Sequence, residues 1–245
     1  MKKLLFTILF LWATLLSAYS INYKLAKKAE KRGDYESALH YTLEQLDEDI
    51  NGHGENAKEV IISYGKLGYY SEKLGQYEKA LDYDLKALKI QRRILGKNSP
   101  STATTLNNIG SVYSKLQKYQ KGLEYYLKSL KMQKKVLGKS SPVTATTLNN
   151  IGGIYRKQKK YSEALEYYFK ALNIRKNTLG KNHLSTANTY RNIALVYYKQ
   201  GKYQEALNEL NKTLKIQEKV LGKKHLSTKN TQSNIDYLKN TMAIK

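Results

Sequence analysis

The chain has 245 residues, 43 Lys and Arg against 20 Asp and Glu, a formal net charge of +23 and 41% apolar residues. This suffices for one full-sized core or a repeat array and argues against a wholly disordered chain. Only Pro100 and Pro142 interrupt a composition rich in Leu, Ala, Lys, Glu and Tyr, which favours long helices over turn-rich sheets. The absence of cysteine excludes disulfides, thiolate metal sites, covalently attached haem and a lipidated cysteine.

Residues 1–20, MKKLLFTILFLWATLLSAYS, combine a basic start at Lys2 and Lys3, an apolar run from Leu4 to Leu16 and small residues at Ala18 and Ser20. They read as a secretory signal peptide cleaved after Ser20, with Ala18 as the alternative. The apolar run is shorter than the roughly 20 residues that span a bilayer, which places a retained membrane anchor second. An exported, periplasmic or secreted product is expected. Its basic charge favours anionic partners, namely acidic peptides, anionic lipid head groups or phosphate-bearing envelope polymers, ahead of nucleic acid. Lysines spread along the chain rather than blocked also read simply as solvated helix faces.

From Ile21 onward one unit is copied. Leu-Gly-Lys recurs at Leu95, Leu137, Leu179 and Leu221, each 42 residues after the last, followed by STATTLNNIGSVY, VTATTLNNIGGIY, STANTYRNIALVY and the decayed STKNTQSNIDYL. Leu106, Ile109, Gly110 and Tyr113 fall at helical spacing, as do Leu148, Ile151, Gly152 and Tyr155, which predicts one helix. Ala164, Leu165, Tyr168, Ala171 and Leu172 form the stripe of a second. The turns between them repeat as GDYESA, GQYEKA, QKYQKG, KKYSEA and GKYQEA, closing on a small residue at Ala38, Ala80, Gly122, Ala164 and Ala206. The expected organisation is a signal peptide at 1–20, a degenerate unit at 21–56, units at 57–98, 99–140, 141–182 and 183–224, and a capping helix at 225–245.

Gly138-Lys139-Ser140 looks like the end of a phosphate-binding loop, but Gln133 stands where its first glycine belongs and the copies lack Ser140. His183 and His225 suggest a ligand pair, yet they occupy equivalent loops of successive units. Stacked helices lie about 8–10 Å apart, too far for two nitrogens to share an ion at about 2.0–2.1 Å. His40 and His53 have no partner of matching phase. Acidic residues such as Glu163 and Glu205 are repeat equivalents at helix starts, where they favour the dipole, and no catalytic constellation stands out. No enzyme activity, cofactor or metal is expected.

Gly152, Tyr155, Ala164, Tyr168 and Ala171 have the order and spacing of the tetratricopeptide repeat signature. Gly110, Tyr113 and Gly122 repeat it one unit earlier, and Ala194, Tyr197 and Ala206 one unit later, with alanine for the first glycine. The period and LGKxxPxTAxTLNNIGxxY resemble the kinesin light chain type of that repeat. Unit 1 matches mainly at Leu25, Ala26, Tyr35 and Ala38. Unit 2 has Ser71 and Asp84 where aromatics stand elsewhere, and Leu184 and Leu226 replace the loop prolines.

The resemblance implies an all-α, right-handed solenoid of stacked antiparallel helix pairs whose concave face is lined by the first helix of each pair. Off the buried stripe those helices carry Asn108, Ser111 and Lys115, then Asn150, Gly153 and Lys157, then Asn192, Leu195 and Lys199. The asparagine column continues at Asn234 and the lysine column back through Lys73 to Lys31. An amide donates to and accepts from a peptide backbone while ammonium groups pair with carboxylates, so the columns suit an extended acidic peptide. Equally, the asparagines can bond within the array. Tyr126 and Tyr168 are expected as core spacers rather than a stacking platform, with Tyr125 and Tyr167 facing outward. The expected function is a non-enzymatic protein-binding scaffold. Electrostatic tethering to anionic envelope surfaces is one alternative, and self-association through the outward tyrosines and repeat ends is another.

Overall fold

The computed structural model describes residues 21–96 and 98–243; the proposed signal peptide lies outside them. All regular structure among the described residues is helical. The helices are α1 (residues 21–31), α2 (Tyr35–His53), α3 (Lys58–Lys73), α4 (Tyr77–Ile94), α5 (Pro100–Lys115) and α6 (Tyr119–Val136). They continue with α7 (Pro142–Lys157), α8 (Tyr161–Thr178), α9 (Leu184–Lys199), α10 (Tyr203–Leu221) and α11 (Leu226–Ala243). The chain divides into two compact units at Gly122/Leu123, within α6, and in each the helices form antiparallel pairs stacked in the manner of a solenoid. Among the described residues no helix is long and apolar enough to cross a membrane.

The repeated loops explain where helices begin. Ser99 caps α5 by accepting from the Thr102 N–H, and Ser141 caps α7 by accepting from Val143. The same position in the next two repeats is His183 and His225, whose Nδ1 atoms accept from the Ser185 and Ser227 N–H groups at 3.0 and 3.1 Å. The two histidines are therefore helix N-caps, a role open to the imidazole only when Nδ1 is unprotonated. Asp34 caps α2 in the same manner, and the Ser37 hydrogen bonds hold its carboxyl below the usual range.

Helices end on a left-handed residue. Within the pairs this position is Gly33, Gly75, Gln117, Lys159 and Gly201, all at φ between 60° and 75°. Gln117 and Lys159 adopt a backbone conformation that disfavours a Cβ by about 1–2 kcal/mol. Lys159→Gly is accordingly expected to stabilise the protein, by up to about 1 kcal/mol once the looser unfolded chain is counted. Urea denaturation showing an unchanged or lower midpoint would contradict this.

In the first unit, Ala29, Ala38 and Tyr70 form one buried cluster and Leu46, Val60, Ile61, Leu67 and Ile90 another. In the second, Ala164, Tyr168, Leu172, Ile193 and Val196 pack together, and Ala194, Ala206, Leu207, Leu210, Ile235 and Leu238 close the array beneath α11. Small residues set how closely paired helices approach. A Cβ on Gly152 would lie 2.9 Å from the Tyr168 ring and 3.1 Å from the Ala164 carbonyl oxygen. One repeat later the same pair of positions is Ala194 and Leu210, a larger residue facing a smaller one. In the first unit it is Gly68 facing Asp84, with Asp84 Oδ1 2.7 Å from where a Gly68 Cβ would stand.

A polar column runs through the second helices. Asp49, Gln91, Gln133, Arg175 and Gln217, each 42 residues apart, are all buried. Asp49 is satisfied by Gln45 and Ser63 at 3.0 and 2.5 Å, and Gln91 donates to Ser101 at 2.9 Å. Arg175 is held by neutral oxygens: its guanidinium donates to the Ser185 carbonyl, to Thr189 Oγ1 at 2.7 Å and to Thr146 Oγ1 at 3.3 Å. Burial pushes its pKa down.

Candidate functional site

The side chains off the buried stripe of the first helices fall into two sets, one per unit. In the first unit, Asn108 and Ser111 of α5 are half-buried, while Lys115, and Lys73 of α3, are exposed. Lys73 Nζ lies 5.2 Å from the Tyr69 ring and 6.0 Å from that of Tyr35. Ser111 is engaged: its hydroxyl donates to Glu72 at 2.9 Å. Glu30, one repeat before Glu72, accepts from the buried Tyr70 hydroxyl at 2.9 Å. With desolvation, this bond drives the Tyr70 hydroxyl pKa well above its ordinary value. This face thus carries a pair of carboxylates, Glu30 and Glu72, beside its lysines.

In the second unit the sign changes. The position equivalent to Glu30 and Glu72 is Arg156 on α7 and Tyr198 on α9. Asn150 and Asn192 are half-buried and Asn234 is exposed on α11, while Lys157 and Lys199 are exposed at the ends of α7 and α9. Asn192 Nδ2 donates to Asn149 Oδ1 at 3.0 Å, so this half-buried asparagine links neighbouring helices. That bond leaves the Asn192 carbonyl oxygen as an acceptor. Gly153 is half-buried beneath the Tyr168 hydroxyl, and Leu195 is exposed. Lys199 lies 5.7 Å from the Tyr198 ring centroid.

The signature residues sit at the helix contacts. Gly110, Tyr113, Gly122, Gly152, Ala164, Tyr168, Ala171, Ala194 and Ala206 are buried, and Tyr155 and Tyr197 are half-buried. Tyr126 and Tyr168 are 3% and 1% exposed, which removes both from any stacking surface. Burial raises the Tyr168 hydroxyl pKa, opposed by the hydrogen bond and charge of Arg156. The neighbouring Tyr167 stacks on Tyr155 at 5.4 Å, and Lys128 and Lys170 lie over Tyr125 and Tyr167 at 5.3 and 5.4 Å. These lysines also pair with Glu124 and Glu166 one turn earlier, a motif shared with Lys86 and Asp82. Part of the positive charge is thus tied into repeated exposed pairs, each of small energetic weight.

Sequence reasoning missed Arg156, Arg191 and Tyr237. With Asn192, Leu195, Tyr198 and Asn234 they surround a cavity of about 580 Å³ in the second unit, floored by Ala194, Ala206, Leu210 and Leu238. No carboxylate lines it. Their signal in the sequence is negative: they are positions at which the fourth unit (Arg156 for Ser114), the fifth unit and the last helix depart from the repeated motif. Among the described residues no group of three or more His, Asp and Glu is placed to hold a metal.

An array of helix pairs joined by left-handed turns, with small residues where paired helices touch, defines a tetratricopeptide-type α-solenoid. A profile for the tetratricopeptide repeat matches residues 59–135, 101–177, 143–219 and 185–235, and the chain belongs to the tetratricopeptide repeat family. Its fold is similar to that of BtubC (BKLC) from P. vanneervenii, with a TM-score of 0.71 and 22% identity over 86% of this chain and 91% of that one. A putative kinesin light chain with nearly identical repeats from Podospora anserina gives 0.69 and 20%, over 82% and 95%. The apo form of RapI gives 0.67 and 23% over 82% of this chain and 54% of that one. Among curated proteins none matches the chain by sequence.

Proposed function

We propose that this is a non-enzymatic scaffold that binds an extended acidic protein segment along the first helices of the second unit. Solenoids of this kind present extended concave surfaces for partners. The observation that carries the reading is the reversal of charge: the position occupied by Glu30 and Glu72 in the first unit is Arg156 in the second, where it lines a cavity with Arg191 while exposed Lys157 and Lys199 end α7 and α9. Asn150 and Asn234, with the free carbonyl of Asn192, supply backbone-directed donors and acceptors along the same face. Carriage of the chain to the envelope by residues 1–20 is part of the same proposal.

The test uses Asn150, Asn192 and Asn234 changed together to Ala. Circular dichroism should be retained while capture of acidic peptides from an envelope digest is lost; unchanged capture refutes the groove. Adsorption to anionic vesicles that disappears at moderate ionic strength and depends on Lys115, Lys157 and Lys199 rather than the asparagines would point instead to electrostatic tethering.

A further inference from the structure

The cavity between α7, α9 and α11 exists because the repeat is broken there. Where Tyr168 fills the space over Gly152, the next repeat has Leu210 beneath Ala194, and the missing ring leaves room. The residues around that room are also the ones that depart from their copies. Arg191 replaces Asn107 and Asn149, Leu195 replaces Ser111 and Gly153, and Tyr198 replaces Ser114 and Arg156. Tyr237 of α11 succeeds Leu195. Copying would have left a small polar trough; the substitutions make a pocket with two guanidinium groups, two phenol rings and an aliphatic floor.

Two further features give it chemistry. The Arg156 guanidinium is hydrogen-bonded to the Tyr168 hydroxyl, but its buried Nε has no partner, leaving one donor of a charged group unmet beside the cavity. A buried donor left unmet is costly, and a carboxylate meets a guanidinium through paired hydrogen bonds. The volume is that of a small-molecule site, which typically encloses about 300–1,000 Å³. With Leu195, Leu210 and Leu238 lining the same cavity as the two arginines, the matching ligand carries both a negative charge and an apolar ring.

We infer that this cavity is a binding pocket for a carboxylate borne on an aromatic body, held by Arg156 and Arg191 with its ring against Leu195, Leu210 and Tyr237. The same chemistry is offered by a free aromatic acid and by a peptide that ends in an aromatic residue. The second source rests on the groove proposed above; the first does not.

The probes are N-acetylphenylalanine, its carboxamide N-acetylphenylalaninamide, and an acidic peptide ending in phenylalanine, titrated calorimetrically into the full chain. N-acetylphenylalanine should bind and the carboxamide should not. Arg191→Asn, which restores the residue used in two other repeats and is therefore compatible with the helix, should weaken binding at least about tenfold, the loss of one charge-assisted hydrogen bond. Leu210→Tyr, which restores the ring, should abolish it. If the peptide binds more tightly than N-acetylphenylalanine and Asn150→Ala removes only that gain, the ligand is a peptide terminus. Equal affinities identify a free acid. No binding of either acid, or binding unaffected by both Arg191→Asn and Leu210→Tyr, overturns the pocket. Unchanged peptide capture in the asparagine variants, with N-acetylphenylalanine binding intact and sensitive to Arg191→Asn, would overturn the groove alone.

Discussion

Replacing Gly152 by Ala should destabilise the second unit by about 1–3 kcal/mol, the usual cost of overpacking a close contact, despite the better helix propensity of alanine. The added methyl meets the Tyr168 ring at 2.9 and 3.0 Å and the Ala164 carbonyl at 3.1 Å, and the carbonyl belongs to a helix backbone that cannot yield without parting the pair. Tyr168→Leu alone should also destabilise, by opening a void where a fully buried ring was. The double variant should be more stable than the sum of the two losses, because Ala194 and Leu210 are that combination one repeat on. Neighbouring substitutions couple by about 0.5–3 kcal/mol, and a favourable value in a double-mutant cycle followed by urea denaturation is expected. Strict additivity would show that the two positions do not share one space.

The first unit should lose stability as pH rises through neutrality, and Asp84 is the reason. Burial, helped by the charge of Glu72, pushes its carboxyl from the ordinary 3.8 to about 8. In the folded protein this group stays protonated over a range in which the unfolded chain has released the proton. Folding then binds a proton, so its contribution is full below the unfolded value and falls across the interval up to about 8, by about 1.4 kcal/mol per pH unit at the steepest. Asp84→Asn, which keeps the size without the charge, should flatten the dependence between about pH 5.5 and 8, where most other carboxylates no longer titrate. Asp84→Tyr should go further and raise the midpoint at all pH values by restoring the ring that Tyr168 lays over Gly152. A denaturation midpoint of the parent chain that rises with pH over this interval would exclude a buried acid at this position.

The two expectations show what sequence periodicity could and could not deliver. Helix boundaries, left-handed turns and small contact residues were legible because each is repeated at a spacing of 42 residues and each has a local physical reason. Tyr168 could be assigned to the core because it holds the aromatic position of the repeat signature, and it is buried. His183 and His225, set aside as loop residues, turn out to cap helices where serine does so in earlier repeats; phase marked the position but not the use of Nδ1 as the acceptor. The buried polar column was hidden because a glutamine beside charged residues, such as Gln91 before Arg92 and Arg93 or Gln133 before Lys134 and Lys135, looks like a solvated position until the neighbouring helix is placed. Arg175 shows this most clearly, since its partners Thr146, Ser185 and Thr189 lie on two other helices.

The candidate site was less legible than the fold for the same reason in reverse. Asn108, Asn150 and Asn192 drew attention by repeating, yet the bond from Asn192 to Asn149 ties one of them into the scaffold. Glu72, which holds Ser111, lies 39 residues away from it and has no counterpart in later repeats. The lining of the cavity is made from departures such as Arg191 and Tyr198, which a search for regularity discards as noise. In a copied array, a binding site is written in the exceptions.

The contacts that join one repeat to the next are short in reach: Asn192 to Asn149 spans 43 residues, Tyr70 to Glu30 spans 40 and Ser111 to Glu72 spans 39. Ties of this length join neighbouring repeats, as the nearest-neighbour character of solenoids leads one to expect. Pulled from its ends, such an array is expected to open repeat by repeat, each 42-residue unit releasing about 140 Å of extended chain.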